Sequence, residues 1–161
     1  MPLVGACYGN LGSAHYSSEQ FHEALRDYQQ QFEMAKALGD RILEARSLSN
    51  KGRVLQSLGQ CRRSISDQER ALHIFKVVAD RAGQALCYMH LGESCYKLKE
   101  LEQSATYLRN AEDLLRESKQ PHLLEALYGS LAEVYSAMGD TTSALDVLRK
   151  QEALLMEESH G

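Results

Sequence analysis

Arg46, Asn50 and Arg53, within EARSLSNKGRVL (44–55), are the residues of this chain whose types and spacing best suit molecular recognition. They fall at i, i+4 and i+7, which stacks them along one side of an α-helix. A guanidinium can clamp a carboxylate through two parallel hydrogen bonds and stays charged throughout the accessible pH range. An amide supplies both a donor and an acceptor, which is what an extended peptide main chain requires of its host. Such residues hold a ligand; they do not make or break bonds.

Bond-making constellations are missing from the sequence. It contains no G-x-x-x-x-G-K-[ST] loop, no G-x-S-x-G elbow and no H-E-x-x-H helix. Its histidines (His15, His22, His73, His90, His122, His160) are scattered, and none has a second ligand at helical spacing. His15 falls in an apolar column and is expected as a packed core histidine. Glu157-Glu158 and Glu100/Glu102 read as solvated helix ends rather than acid–base pairs. His90 and Cys95 lie five residues apart, which points their side chains in different directions on a helix. No catalytic, cofactor or metal site is therefore expected, and the chain reads as a non-enzyme.

The cysteines (Cys7, Cys61, Cys87, Cys95) form no CxxC pair. Cys87 and Cys95 are roughly 12 Å apart along one predicted helix, too far for a disulfide. All four are expected as buried free thiols in a reducing compartment, which makes the expected location cytoplasmic. A formal charge of −4 over 161 residues gives no electrostatic reason to expect nucleic acid or an anionic membrane as partner. No apolar run approaches the ~20 residues that a membrane span needs. The opening MPLVGAC ends like a lipoprotein cleavage site but lacks a basic start and a long apolar stretch.

Abundant Ala, Leu, Glu, Gln, Lys and Arg with only two prolines favours helix, because these side chains lose little rotamer freedom there. Laying the sequence over itself at a shift of 40 shows what organises those helices. Gly12, Gly52, Gly92 and Ala132 coincide; so do Leu11, Lys51, Leu91 and Leu131, with Lys51 the exception in a leucine column. Tyr8, Leu48, Tyr88 and Tyr128 form another column, as do Ala24, Ser64, Ser104 and Ala144. Beside the small column run Leu25, Ile65, Ala105 and Leu145, then Tyr28, Gln68, Leu108 and Leu148. No insertion is needed to align the units, about 1–40, 41–80, 81–120 and 121–161, which are read as one domain over 1–161.

Each unit holds two helical patterns. The first helices are predicted at about 4–17, 41–57, 81–97 and 121–137, the second at about 20–37, 60–77, 100–117 and 140–157. Gly39, Gly59 and Gly139 mark turns, and Pro121 suits a helix start. No strand-like alternation is present. The predicted fold is all-α: a right-handed solenoid of four stacked helix-turn-helix repeats, with small columns where helices approach closely.

The pairs Leu11-Gly12 and Leu91-Gly92, the residues His15, Leu55, Cys95 and Tyr135, and the small residues Ala24 and Ala144 resemble tetratricopeptide repeats. The usual period is about 34 residues; this one is 40. The longer unit is similar to the repeats of cell-polarity adaptors related to Partner of Inscuteable. That likeness is carried by ALGDRILEARSLSNKGRVLQSLG (37–59) and YGNLGSAHY (8–16), while Lys51, Ser64 and Ser104 depart from it.

The stacked architecture places the first helices on an inner, concave wall, with Tyr8, Leu11, His15 and their equivalents turned toward neighbouring helices. The inward positions are then Ala6, Arg46, Leu86 and Ala126; Gly9, Ser49, Met89 and Gly129; and Asn10, Asn50, His90 and Ser130. Next come Ser13, Arg53, Glu93 and Glu133; Tyr16, Gln56, Tyr96 and Ser136; and Ser17, Ser57, Lys97 and Ala137. The candidate peptide-binding residues are Asn10, Ser13, Arg46, Asn50, Arg53, Gln56, His90, Glu93, Tyr96, Lys97 and Glu133. What the resemblance implies is that Asn10 and Asn50 hold a ligand's main chain and that Arg46 pairs with its acidic side chains. The opposing expectation is an idle solvated wall, since Arg, Asn, Ser and Glu serve that purpose without a ligand.

The expected function is a scaffold or adaptor that takes a peptide segment of a partner protein, one with an acidic stretch, into its groove. The alternative is self-association, or docking within a longer repeat protein, through the terminal helices. Its motive is a start in helix without an N-cap signal and a close on LLMEESHG without a solvating helix. Leu148, Leu154, Leu155 and Met156 are accordingly expected to form an apolar strip.

Overall fold

The computed structural model describes residues 2–160, with side chains from residue 4. Among the described residues the chain is entirely helical, in eight helices: α1 (Pro2–Ser17), α2 (Phe21–Leu38), α3 (Arg41–Ser57), α4 (Cys61–Val77), α5 (Arg81–Lys97), α6 (Leu101–Ser118), α7 (Pro121–Ala137) and α8 (Thr141–His160). These boundaries fall within three residues of those predicted from periodicity. The helices form two compact units, Met1–Gly83 and Gln84–Gly161.

A 20-residue rhythm in the backbone explains the absence of insertions. Every connection passes through one left-handed residue: Glu19, Gly39, Gly59, Ala79, Lys99, Lys119 and Gly139, with φ between 53° and 80°. This is the conformation that closes a helix at C′, and it places the next helix after one further residue. Asp40, Asp80 and Asp140 then occupy N-cap positions, their carboxylates accepting from the backbone N–H of Leu43 (3.1 Å), Gly83 (3.0 Å) and Ser143 (3.1 Å). Ser143 also donates its hydroxyl to Asp140, and these bonds hold the Asp140 carboxyl below its ordinary value. Left-handed backbone costs an L-residue about 1–2 kcal/mol, partly offset by the greater unfolded-state entropy of glycine. Ala79→Gly is therefore expected to stabilise the protein by about 0.5–1 kcal/mol, read as a higher urea midpoint at unchanged slope.

Inside each hairpin the small columns set the helix separation. A Cβ built on Gly12 would lie 2.6 Å from Tyr28, on Gly52 2.8 Å from Gln68, and on Gly92 2.6 Å from Leu108. Each glycine thus meets the residue sixteen positions later, and the facing Ala24, Ser64, Ser104 and Ala144 are all buried. The Ser104 hydroxyl donates to the Gly92 carbonyl at 2.7 Å, which satisfies its polar group within the crossing. Gln68 is fully buried where the other units carry Tyr or Leu. It survives there because its amide donates to the Ser49 carbonyl (2.8 Å) and accepts from the Ser49 hydroxyl (2.9 Å).

In the first unit Ala24, Tyr28 and Val54 form a core with Tyr16, Phe21, Leu25 and Leu58 around it. In the second, Leu108, Ala111 and Leu115 of α6 pack with Leu124, Leu127, Leu131 and Val134 of α7 and Val147 of α8. Glu112 intrudes on that second core. It accepts from the Tyr128 hydroxyl (3.4 Å) and pairs with Lys150 (3.4 Å) and Arg116 (3.5 Å). Burial first, and the Glu112 charge second, push the Tyr128 hydroxyl above its ordinary pKa.

Four expectations are corrected here. His15 is a half-buried partner of Asp27, their Nδ1 and Oδ2 in hydrogen-bond contact, and not a histidine enclosed by apolar side chains. Leu11 does not point at a neighbouring helix but is 47% exposed. Cys7 is exposed while Cys61, Cys87 and Cys95 are buried. The apolar strip on α8 lacks Leu154, which packs onto the core, although Leu148, Leu155 and Met156 are exposed.

Candidate functional site

Tyr16, at the end of α1 in the first hairpin, lies beside Arg53 on α3 in the second. The Arg53 guanidinium carbon stands 4.3 Å from the centre of the Tyr16 ring, and the Tyr16 hydroxyl lies 3.0 Å from the Ser57 hydroxyl. Cation–π stacking of this kind contributes about 0.5–2 kcal/mol and holds the guanidinium plane in place. Arg53 Nε is covered and has no hydrogen-bond partner among the described residues, which leaves the two terminal nitrogens as the fork for an acceptor. Arg46 and Asn10 are exposed and Asn50 is half-buried. Ser13 already shares a hydrogen bond with the Tyr28 hydroxyl at 3.1 Å, and Gln56, at 9% exposure, offers little surface.

In the second unit, Tyr96 of α5, Gly129, Glu133 and Ser136 of α7, and Leu148 of α8 line an open recess of about 540 Å³. Its floor is apolar and its one formal charge is the Glu133 carboxylate. His90 and Glu93 sit one turn apart on α5, Nδ1 3.7 Å from the carboxylate, and that nitrogen has no hydrogen-bond partner among the described residues. Lys97 is exposed at the end of the same helix. No group of three or more His, Cys, Asp or Glu suited to a metal ion occurs among the described residues. Nor is any described helix long and apolar enough to cross a membrane.

One column assigned to the inner wall belongs elsewhere. Gly9 meets the Gln31 amide, Ser49 bonds Gln68, Met89 is buried, and Gly129 lies 3.6 Å (as a built Cβ) from Gln151. These positions face the second helix of their own hairpin. There the Gln31 and Gln151 amides donate to the carbonyls of Gly5 (3.0 Å) and Glu125 (3.1 Å), residues in the same register of two different units.

Two Tetratricopeptide repeat family profiles match the sequence, one over residues 4–77 and the other over 126–160, together more than half of it. The chain is built of tetratricopeptide repeats. Solved structures agree on the fold. BtubC (BKLC) from P. vanneervenii superposes with a TM-score of 0.90 at 17% identity, over 98% of this chain and 65% of that one. The apo form of RapI gives 0.90 at 16%, over 97% and 57%. A Rap protein complexed with Competence and Sporulation Factor gives 0.77 at 19%, over 92% and 42%. At these identities the likeness is one of fold: an all-α repeat solenoid. This chain spans less than two thirds of the length of each of those proteins. Among curated proteins none matches the sequence.

Within the second tetratricopeptide repeat, Lys51 resolves the exception in the leucine column. Its ammonium donates to Gln29 Oε1 at 2.6 Å, stands 3.8 Å from Asp67 and lies over the Phe32 ring at 6.0 Å. Both charged side chains are largely buried, 14% exposed for Lys51 and 12% for Asp67. Burial pushes the Asp67 carboxyl above its ordinary value even though Lys51, Arg70 and Arg63 pull the other way. Desolvation wins because the Lys51 contact is long. Sequence reasoning missed this pair, yet a signal existed: Lys51 and Asp67 are sixteen residues apart, the same offset that joins Gly12 to Tyr28 and Gly92 to Leu108.

Proposed function

We propose that these repeats are a non-catalytic protein-interaction scaffold whose first helices hold an extended peptide segment of a partner, with an acidic stretch seated against α3. The observation that carries this reading is the Arg53 guanidinium held 4.3 Å over the Tyr16 ring, on the helix that also exposes Arg46 and half-exposes Asn50. A guanidinium already oriented by stacking loses little further freedom when a carboxylate arrives, so the cost of binding is reduced in advance. Asn50 and Asn10 supply paired donors and acceptors for main chain, and the Tyr96–Leu148 recess offers an apolar seat for a side chain. Within the second unit taken by itself, Glu93 and Glu133 suit basic groups of a ligand. The forty-residue spacing supports the resemblance to polarity-adaptor repeats. The expected setting is cytoplasmic, since the buried thiols Cys61, Cys87 and Cys95 suit a reducing compartment.

Charge-assisted contacts contribute roughly 1.5–3 kcal/mol each when shielded, and less at an open rim. The double variant Arg46→Glu/Arg53→Glu is therefore expected to weaken capture of acidic peptides about 10–100-fold. Binding to the parent chain should also weaken as salt is raised. Fluorescence titration of a peptide array, with a circular-dichroism control for folding, measures both. Unchanged affinity in the double variant would remove α3 from the site.

A further inference from the structure

Two clusters of cations, one in each compact unit, share a register 80 residues apart and differ at their centre. In the second unit the centre is Glu112 of α6, with Arg116 of the same helix at 3.5 Å and Lys150 of α8 at 3.4 Å. The carboxylate also accepts from the Tyr128 hydroxyl and is 7% exposed. Asp146 stands 3.8 Å from Lys150 as a further counter-charge. Two cations thus meet two carboxylates, all supplied by the repeat itself.

In the first unit the centre of that register is Phe32, and Lys36 of α2 and Arg70 of α4 are the equivalents of Arg116 and Lys150. Lys36 Nζ lies 5.3 Å and the Arg70 guanidinium carbon 5.5 Å from the ring centre, while Lys51 of α3 adds a third cation at 6.0 Å. An aromatic ring attracts cations through its quadrupole but has no charge with which to neutralise them. Ser66 stands where the second unit has Asp146, and Glu33 accepts from the Gln29 amide at 3.2 Å. Lys36 has no ion pair among the described residues. Asp67 lies 3.7 Å from Arg70 and 3.8 Å from Lys51, both beyond ordinary hydrogen-bond length. One carboxylate is therefore shared loosely among three cations, of which Lys36 and Arg70 are exposed.

We propose that the face of α2 and α4 around Phe32 is a second recognition site, at which Lys36 and Arg70 take a Glu or Asp side chain of a partner protein. The chain itself shows the chemistry that suits this register, since the equivalents of these two cations hold the Glu112 carboxylate. Folding has already gathered the like charges around the ring, so an arriving carboxylate relieves their repulsion and forms charge-assisted bonds. None of Arg46, Asn50 and Arg53 belongs to this cluster. The site therefore goes beyond the α3 reading and stands if that reading fails.

Titration of a capped hexaglutamate peptide into the full chain carrying Arg46→Glu/Arg53→Glu tests it, because any contribution from α3 is removed in advance. Binding should persist and should shift the side-chain NMR signals of Lys36 and Arg70. Adding Lys36→Ala/Arg70→Ala should weaken it about tenfold, whereas the equal charge change Arg26→Ala/Arg41→Ala should leave it unchanged. Phe32→Glu installs the carboxylate of the second unit and should weaken binding as far as the double alanine variant does. Circular dichroism checks the fold, and the alanine pair, at exposed positions, decides the matter if Phe32→Glu does not fold. Absence of peptide binding, an equal loss in the Arg26/Arg41 control, or undiminished binding by folded Phe32→Glu overturns the proposal. So do shifts at Lys36 and Arg70 with inorganic phosphate but none with the peptide.

Discussion

Leu131→Ala is expected to cost about 2–5 kcal/mol of stability, whereas Leu11→Ala in the monomer should cost less than about 0.5. The two leucines occupy one column of the forty-residue repeat and are chemically interchangeable in the sequence. Leu131 is fully enclosed, in a cluster with α6 and α8, so truncation removes transfer free energy and leaves a cavity that the packed helices cannot fully close. Leu11 is 47% exposed, and its truncation leaves solvent rather than a void. Urea unfolding of both variants at low protein concentration provides the comparison. Similar losses at the two positions would mean that α1 is covered in solution even in the monomer.

Lys51→Leu is expected to destabilise the protein by about 2–3 kcal/mol, although it restores the residue that the column favours. The replacement restores an apolar side chain but deprives Asp67 of the cation that most favours its charge, while the carboxylate stays 12% exposed. Stripping one partner from a well-buried pair costs about 3–5 kcal/mol, and the remaining Arg70 and Arg63 together with solvent screening reduce that figure. Lys51→Leu/Asp67→Val should recover most of the loss, since Val147 is the native occupant of that register in the fourth unit.

The pH dependence has a definite sign. Asp67 has a native pKa above its ordinary 3.8, so between those values the native state binds more protons than the unfolded one. Stability from this group therefore declines as pH rises from 3.8 through the native value, and Lys51→Leu steepens the decline. The deficit should be largest at neutral pH and vanish below the unfolded value. A deficit independent of pH would assign the loss to packing instead.

The candidate site was less legible than the scaffold around it. Arg46, Asn50 and Arg53 could be set on one helix face from spacing alone. That Arg53 is stacked on Tyr16, 37 positions away, and that Gln56 and Ser13 are partly consumed by internal contacts, could not. Helical spacing reports the direction of a side chain from its own axis. It says nothing of what stands opposite, and the 9/49/89/129 column was misassigned for that reason.

The period, the eight helices and their turns were written in the chain because they rest on short-range physics: rotamer-cheap side chains, Asp caps and left-handed closures spaced every twenty residues. The glycine–large pairs sixteen apart also follow from it once the hairpin is assumed. Burial does not. Leu11, Lys51 and Leu131 share a register, yet one faces solvent, one shares a largely buried ion pair and one is sealed in a core. Which of these happens depends on the neighbouring helix in space, and a column of equivalent letters carries no record of whether that neighbour is there.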